Sequence, residues 1–522
     1  MINQKIVVLI RDIINIIEIY QNPNVLDYNN KINSYRKNIN EYYAAVNEND
    51  STMFWNYMFN EFSNDPELYT LLVSIIYDCT KNERCLKETI QLLSNVKCDP
   101  FWSTGIRQQI EFSLFTNLNN GNNYTIRREL HKKQLIQLEE KIDFDKQYIK
   151  FKDRNKNKIV IITNQFLSNN HAPTRNVKEV CIALEKLGFD VLLLVVVEKT
   201  NIDNMMQSWH NFTTVNYNEE YTGNFTVEYY DYNISGYQLL VQESSILEMK
   251  MLVNKIYDIN PLFIWYMGGT SVYSDVFRKI TTFISMPFTD GYIVSEAPIL
   301  IEYMKSNSDK IQEMEAYIKK AMQTTVHFNF EQPIHPSKIT VSRDDYHLKK
   351  EEFLIGIVGN RLDLEITESF VKVINQILEF GQDIHIVFIG NMQELPYQLK
   401  SKAYYLGYQD DLICTVSLID VFLNPPRQGG GTGAYWSLYN SKPVVTLGDC
   451  DVASCVTKDF ICDNEDEMIN MIGNLYNDKD YLEKMKKKAK NIIDEIEKNN
   501  DICLNMQKLI KQVTEVNEVT QY

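Results

Sequence analysis

The residues with the clearest capacity for chemistry are Pro425-Pro426-Arg427-Gln428-Gly429-Gly430-Gly431-Thr432-Gly433-Ala434-Tyr435-Trp436. Glycines admit close approach of backbone to a ligand. A helix opening at Thr432 would also aim free N–H groups and a partial positive charge at an anion. That chemistry is a phosphate cradle. Leu418, Ile419, Val421, Phe422 and Leu423 predict a strand over 416–423 before it, and Pro443-Val444-Val445-Thr446-Leu447 predicts one after it. Strand, glycine turn, helix and strand together form one unit of a parallel sheet.

Three further loops follow apolar strands. The loop 164–176 contains Asn169-Asn170-His171-Ala172-Pro173-Thr174-Arg175 between a strand at 159–162 and a helix at 175–187. In an open parallel sheet this is the carboxyl edge, where ligands sit; His171 there would orient or deprotonate an acceptor, or bind a phosphate. Met267-Gly268-Gly269-Thr270-Ser271 repeats the combination of close backbone approach and hydroxyl donors. Its plainer reading is a strand-to-helix turn with Thr270 or Ser271 as N-cap. Gly356-Ile357-Val358-Gly359-Asn360-Arg361 ends another strand, and Arg361 would neutralise a diphosphate from the same side as the cradle, the alternative being a surface arginine.

The elements that must position these loops fall into an ordered series. Residues 1–150 read as an all-α domain: Ile6, Ile10, Ile13, Ile14 and Ile17 recur at helical spacing, as do Leu86, Ile90 and Leu93. A polar run over 153–158 marks a boundary. Alternating strands (159–162, 191–197, 262–266, 291–294) and helices over 151–328 then describe a first doubly wound α/β domain. Residues 329–352, with Pro333, Pro336 and runs of charge, read as a linker. The alternation restarts over 353–522 with strands at 353–358 and 384–389, a helix at 367–380, the cradle unit and helical tail segments. The resulting fold class is α/β, two Rossmann-like domains preceded by an all-α domain, with ligands in the cleft between the two. The tail stripe Leu482, Met485, Ala489, Ile492, Ile496 reads as a helix packed on the last domain.

Composition narrows the function classes. A chain of 522 residues exceeds one core. A formal charge of −16 argues against a nucleic-acid binder, because phosphate attraction needs clustered cations. Nine cysteines show neither a disulfide framework nor a zinc spacing and read as reduced thiols. The N-terminal apolar run is too short for a signal peptide and the run 191–197 too short for a membrane span, so the expectation is a cytoplasmic protein without a span.

Gly356–Arg361, Leu406-Gly407-Tyr408, Ile419-Asp420-Val421 and the block 429–446 resemble the C-terminal half of a glycosyltransferase of the two-Rossmann (GT-B) architecture. More narrowly, Asn170–Thr174, Gly268–Ser271 and Gly430–Gly433 with Pro443–Thr446 are similar to motifs of the O-GlcNAc transferase family and its bacterial adhesin-glucosylating relatives. The resemblance spans roughly 158–460. It implies transfer of a sugar from a UDP-sugar donor with no obligatory metal. Helix N-termini and an arginine would stabilise the leaving diphosphate. It further implies that Gly430, Gly431, Thr432, Gly433 and Arg361 hold the diphosphate, that Gly407 and Tyr408 lie by the nucleobase, that His171 is catalytic, and that Thr174, Gly269 and Thr270 line the acceptor side.

Departures from the pattern are equally specific. Trp436 stands where many such enzymes carry a ribose-binding acid, Gln428 stands where a retaining enzyme has glutamate, and Ile366 is near the place of a usual lysine. Asp449 or Asp451 would then replace the ribose acid, and the absent glutamates favour inversion. The acceptor is expected to be a protein side chain or a glycan, with the helical domain reading it or mediating homo-oligomerisation. Alternatives are a catalytically silent GT-B partner protein that stabilises a transferase and, less favoured, a nucleotide-sugar epimerase.

Overall fold

The computed structural model describes the chain apart from residues 1–3, 22–27, 46–47, 96–97, 117–123, 170, 199–216, 242–244, 289–292, 303–310, 331–332, 428, 449, 500 and 520–522. Its N-terminal part is helical from Gln4–Gln21 to Tyr124–Ile142. The isoleucines at helical spacing fulfil their reading: Ile10, Ile13 and Ile17 enter one core with Trp55, Tyr69, Ile76, Leu86 and Ile90.

Two sheets follow. The first has the order β3-β4-β2-β1-β5-β6-β7-β8, with β1 Asn155–Thr163, β2 Asp190–Glu198, β3 Gly223–Tyr229, β4 Tyr232–Val241, β5 Pro261–Met267, β6 Phe283–Met286, β7 Ile299–Glu302 and β8 Thr324–His327. Its pairings are parallel except β3 against β4. The second, wholly parallel, has the order β11-β10-β9-β12-β13-β14, formed by β9 Phe353–Gly359, β10 Ile384–Gly390, β11 Ala403–Gly407, β12 Val421–Leu423, β13 Val444–Leu447 and β14 Ile461–Cys462. In each sheet the chain winds outward from a central strand in one direction, then returns to wind outward in the other. The reversal lies between β1 and β5 in the first sheet and between β9 and β12 in the second. At such a switch point adjacent loops diverge to opposite faces and leave a crevice beyond the strand ends. His171 follows β1 and Gly268 follows β5; Arg361 follows β9 and the glycine turn follows β12. The four loops singled out by residue type thus occupy the two switch points.

The structure corrects several element predictions. Ile293 and Val294 lie outside any strand, while Gly291 is outside the described residues. The Ile293 carbonyl instead accepts the Tyr124 hydroxyl at 2.7 Å, fastening the helical domain to the first lobe, and the strands there are β6 and β7. The apolar run 416–423 is a strand only from Val421; Val416–Leu418 is a 3₁₀ turn that buries the same side chains, an ambiguity inherent in short apolar runs. β1 begins inside the polar run because its first three residues are exposed. The tail stripe packs on the second sheet's core, with Met485 and Ala489 buried and Leu482, Ile492 and Ile496 partly so; Ile493, which the stripe did not include, is buried there as well. The last helix, Ile502–Val519, which the sequence reading grouped with the second domain, returns to the first lobe and buries Met506, Leu509 and Val513 there.

Candidate active site

A cleft of about 1580 Å³ separates the two lobes and is walled on one side by the helical domain. His171, Gly269, Thr270, Arg361, Tyr408, Gly430, Thr432 and Gly433 all line it. Gly407, Gly431 and Thr174 do not, although each is a neighbour of a lining residue. Asn170, Gln428 and Asp449 are outside the described residues.

The glycine turn is built for its shape. Gly429 and Gly430 have φ of 89° and 87°, the left-handed region that side-chained residues rarely adopt. Space adds a second constraint: a Cβ on Gly430 would fall 2.6 Å from the Arg427 guanidinium. The helix Gly431–Tyr439 then starts with Gly430 as N-cap, one residue before the predicted Thr432, and its first bond from this turn runs from the Ala434 N–H to the Gly430 carbonyl. The amides of Gly431, Thr432 and Gly433 have no intrahelical acceptor at that end.

Beneath the turn lies a group that residue types alone did not reveal. Arg427 is 3% exposed and donates to Asn424 Oδ1 at 2.9 Å, to the Val358 carbonyl at 2.7 Å and to Glu365 Oε2 at 2.5 Å. Glu365 Oε1 meets Arg361 at 3.1 Å. One buried carboxylate thus ties two arginines together beneath the glycine turn. Arg427 stood in the motif, and nothing in its spacing distinguished it from a turn residue; Glu365 sits four residues after Arg361, the only sequence signal for that pair.

Asp451, a proposed ribose acid, is committed elsewhere: it is buried and its Oδ2 accepts the Gly429 N–H at 2.8 Å, holding the turn. Trp436 is buried with its ring at the cleft wall.

On the opposite wall His171 is the N-cap of the helix Ala172–Lys186. Its Nδ1 lies 2.8 Å from Thr174 Oγ1, which also accepts the Leu167 N–H at 2.7 Å. Thr174 is fully buried, so it positions His171 and the loop and does not open onto the cleft. Burial pushes the His171 imidazole down to about 4, which favours the neutral ring near pH 7. Burial likewise draws Lys178, on the same helix, down to about 8; its ammonium donates to Asn169 Oδ1 at the cleft edge.

Gly268 permits the tight turn after β5, since a Cβ there would lie 2.4 Å from Asn164 Oδ1 and 2.6 Å from the Tyr266 hydroxyl. Ser271 caps the next helix through the Ser274 N–H, as the plainer reading supposed, while Gly269 and Thr270 still open onto the cleft. The helical domain contributes Gln108, Glu111, Phe112 and Arg127 to the wall, none of them singled out in the sequence. Gln108 donates to Glu198 Oε2 and to the Thr270 carbonyl, both at 2.6 Å, which locks the helix Pro100–Thr116 to the loop after β5. Among the described residues no cluster of potential metal ligands occurs, and no helix is long and apolar enough to cross a membrane.

No protein-family model and no curated protein matches the chain. Solved structures do. An O-GlcNAc transferase mutant from Thermobaculum terrenum superposes with a TM-score of 0.53 over 100% of both chains at 10% identity. A glycosyltransferase from Rickettsia africae ESF-5 gives 0.45 over 70% of this chain and 100% of its own, also at 10% identity. A mutant of S. aureus TarM in complex with fondaparinux, α-GlcNAc-glycerol and UDP gives 0.45 over 68% and 99%, again at 10%. At such identity the likeness is one of fold. With its two facing parallel sheets, switch points turned to one cleft and a helical region in front, the chain has the GT-B fold.

Proposed function

We propose that this protein is a glycosyltransferase that moves a sugar from a UDP-sugar to a protein side chain or glycan, with inversion, in the cytoplasm. The observation that carries the reading is the juxtaposition across one cleft of an anion cradle at the second lobe's switch point and His171 at the first lobe's. The whole-length fold likeness to an O-GlcNAc transferase and nine free thiols support it.

In this reading the acceptor oxygen attacks the anomeric carbon while that carbon's bond to the β-phosphate oxygen breaks, and the bonding electrons leave with UDP. The amides of Gly431 to Gly433, the helix N-terminus and Arg361 meet the charge that develops, which is why the reading requires no divalent cation. Tyr408 and Gly407 would accompany the base. The acceptor's proton passes to His171 Nε2, which requires the tautomer with Nδ1–H donated to Thr174 Oγ1. Gln108, Glu111 and Phe112 extend the acceptor side onto the helical domain, which favours a polypeptide acceptor.

The engagement of Asp451 with the turn favours a second reading, a catalytically silent GT-B partner, because it removes a candidate ribose acid. A panel of nucleotide sugars, read first by thermal shift and then by donor hydrolysis, separates the two: UDP-sugar turnover supports the transferase, and weak UDP binding without turnover supports the silent module. Thr432→Val and Arg361→Ala are each expected to raise the UDP dissociation constant about 10-fold or more, the scale of a lost hydrogen bond or ion pair to a charged group, measured by calorimetry.

A further inference from the structure

Arg175 stands one turn into the helix Ala172–Lys186, its N–H bonded to the His171 carbonyl at 3.0 Å. The residue is 9% exposed, Nε makes no hydrogen bond, and among the described residues no carboxylate lies within ion-pair distance. Glu179, one turn further along the same helix, directs its Oε1 to the Tyr229 hydroxyl at 2.8 Å and to His335 Nε2 at 2.6 Å and makes no ion pair with Arg175. A buried guanidinium without an anion is unfavourable unless something else compensates it. The contact it does make is with the face of Trp436, 4.7 Å from the ring centroid, and this crosses the cleft from one lobe to the other. A cation on an aromatic face is a weaker partner than a carboxylate or phosphate.

Trp436 belongs to the cradle helix and lies four residues after Thr432, so the two side chains share one face of that helix. Arg175, Thr432, Gly433 and Trp436 all line the same cleft. The first lobe therefore holds an unpaired cation against the flank of the second lobe's anion site.

We infer that Arg175 is the first lobe's half of the diphosphate site: it leaves the Trp436 face and pairs with the oxygens of a nucleoside diphosphate seated on Gly431 to Gly433. The inference rests on the donor reading above and extends it across the cleft. Two consequences follow from the geometry. The ligand joins the lobes, since its phosphates are gripped by the cradle on one side and by Arg175 on the other. The charge that develops on the leaving group is also met from the first lobe, one helical turn from His171.

The test uses the full chain and four probes, uridine, UMP, UDP and inorganic pyrophosphate, titrated by calorimetry into wild type, Arg175→Met and Arg175→Lys, with thermal melts as a folding control. Methionine keeps an unbranched stem beside Trp436 and removes the guanidinium with its charge and its donors. The expected result is a loss of about 10-fold or more in affinity for UDP and pyrophosphate in Arg175→Met, with uridine changed by less than about 2-fold, because only phosphate-bearing probes meet the guanidinium. Arg175→Lys should recover part of that loss, a response that a purely structural role would not give. Wild type that binds UDP while Arg175→Met binds UDP and pyrophosphate equally well overturns the assignment and leaves the donor reading intact. Wild type that binds no nucleoside diphosphate overturns the donor reading, and this inference with it.

Discussion

Replacing His171 with alanine is expected to lower sugar transfer by about 100- to 10,000-fold, the usual worth of a positioned acid or base, while UDP affinity stays within about 2-fold. The separation arises because His171 sits on the first lobe's wall of the cleft, whereas the glycine turn belongs to the other lobe. The fold should survive, since Thr174 keeps its bond from the Leu167 N–H. The pH profile provides an independent check. A free imidazole titrates near 6.5, and burial holds this one at about 4 in the empty cleft, so the neutral, proton-accepting ring persists as pH falls through 6.5 and is lost only near 4. The acidic limb of kcat/KM, which reports the free enzyme, is therefore expected near pH 4 and should be absent in His171→Ala. A bound diphosphate favours the imidazolium, so the limb of kcat itself should lie at higher pH. Stability follows the same group with the sign reversed from the usual histidine gain. The contribution of His171 is complete above 6.5 and declines as pH falls toward 4, because the unfolded chain takes up the proton first.

The second large effect concerns Arg427 and Glu365. Arg427→Met removes three hydrogen bonds under the glycine turn and leaves Glu365 buried with Arg361 alone. Breaking a buried pair of this kind costs about 3–5 kcal/mol, so the second lobe should unfold at distinctly lower temperature in differential scanning calorimetry. UDP affinity should fall as well, since Gly430 rests against the Arg427 guanidinium and the turn would relax into the vacated space. Glu365→Gln, which keeps the shape and removes the charge, should cost at least as much, because it leaves two buried arginines without their shared carboxylate and repelling one another. A Glu365→Gln protein as stable as wild type would show that the cluster does not support the cradle.

The parts of this architecture legible in the sequence are those specified by local rules. The strands at 159–162, 191–197, 262–266 and 353–358 are continuous apolar runs, as expected of buried parallel strands, and 384–389 is broken only by His385; each lies within a few residues of its expected place. The glycine turn was legible because positive φ and close backbone approach each demand glycine. What stayed hidden depends on contacts distant in sequence. Arg175 and Trp436 are 261 positions apart, and only the facing of two lobes brings a helix-borne cation onto that ring. Gln108 reaches the loop after β5 across 162 positions. Asp451 was sought as a ribose acid because its residue type suits that task; its burial under Gly429 is a tertiary fact that no local pattern encodes. Thr174 illustrates a subtler limit, for its motif marked the right loop while its side chain points into the packing and not into the cleft.

Crystals soaked with UDP provide the most direct measurement of the central claim. The account predicts the diphosphate within hydrogen-bond distance of the Gly431, Thr432 and Gly433 amides, with Arg361 beside it and His171 facing it across the cleft. UDP bound elsewhere, or a glycine turn closed to ligand by its neighbours with the cleft vacant, would contradict it.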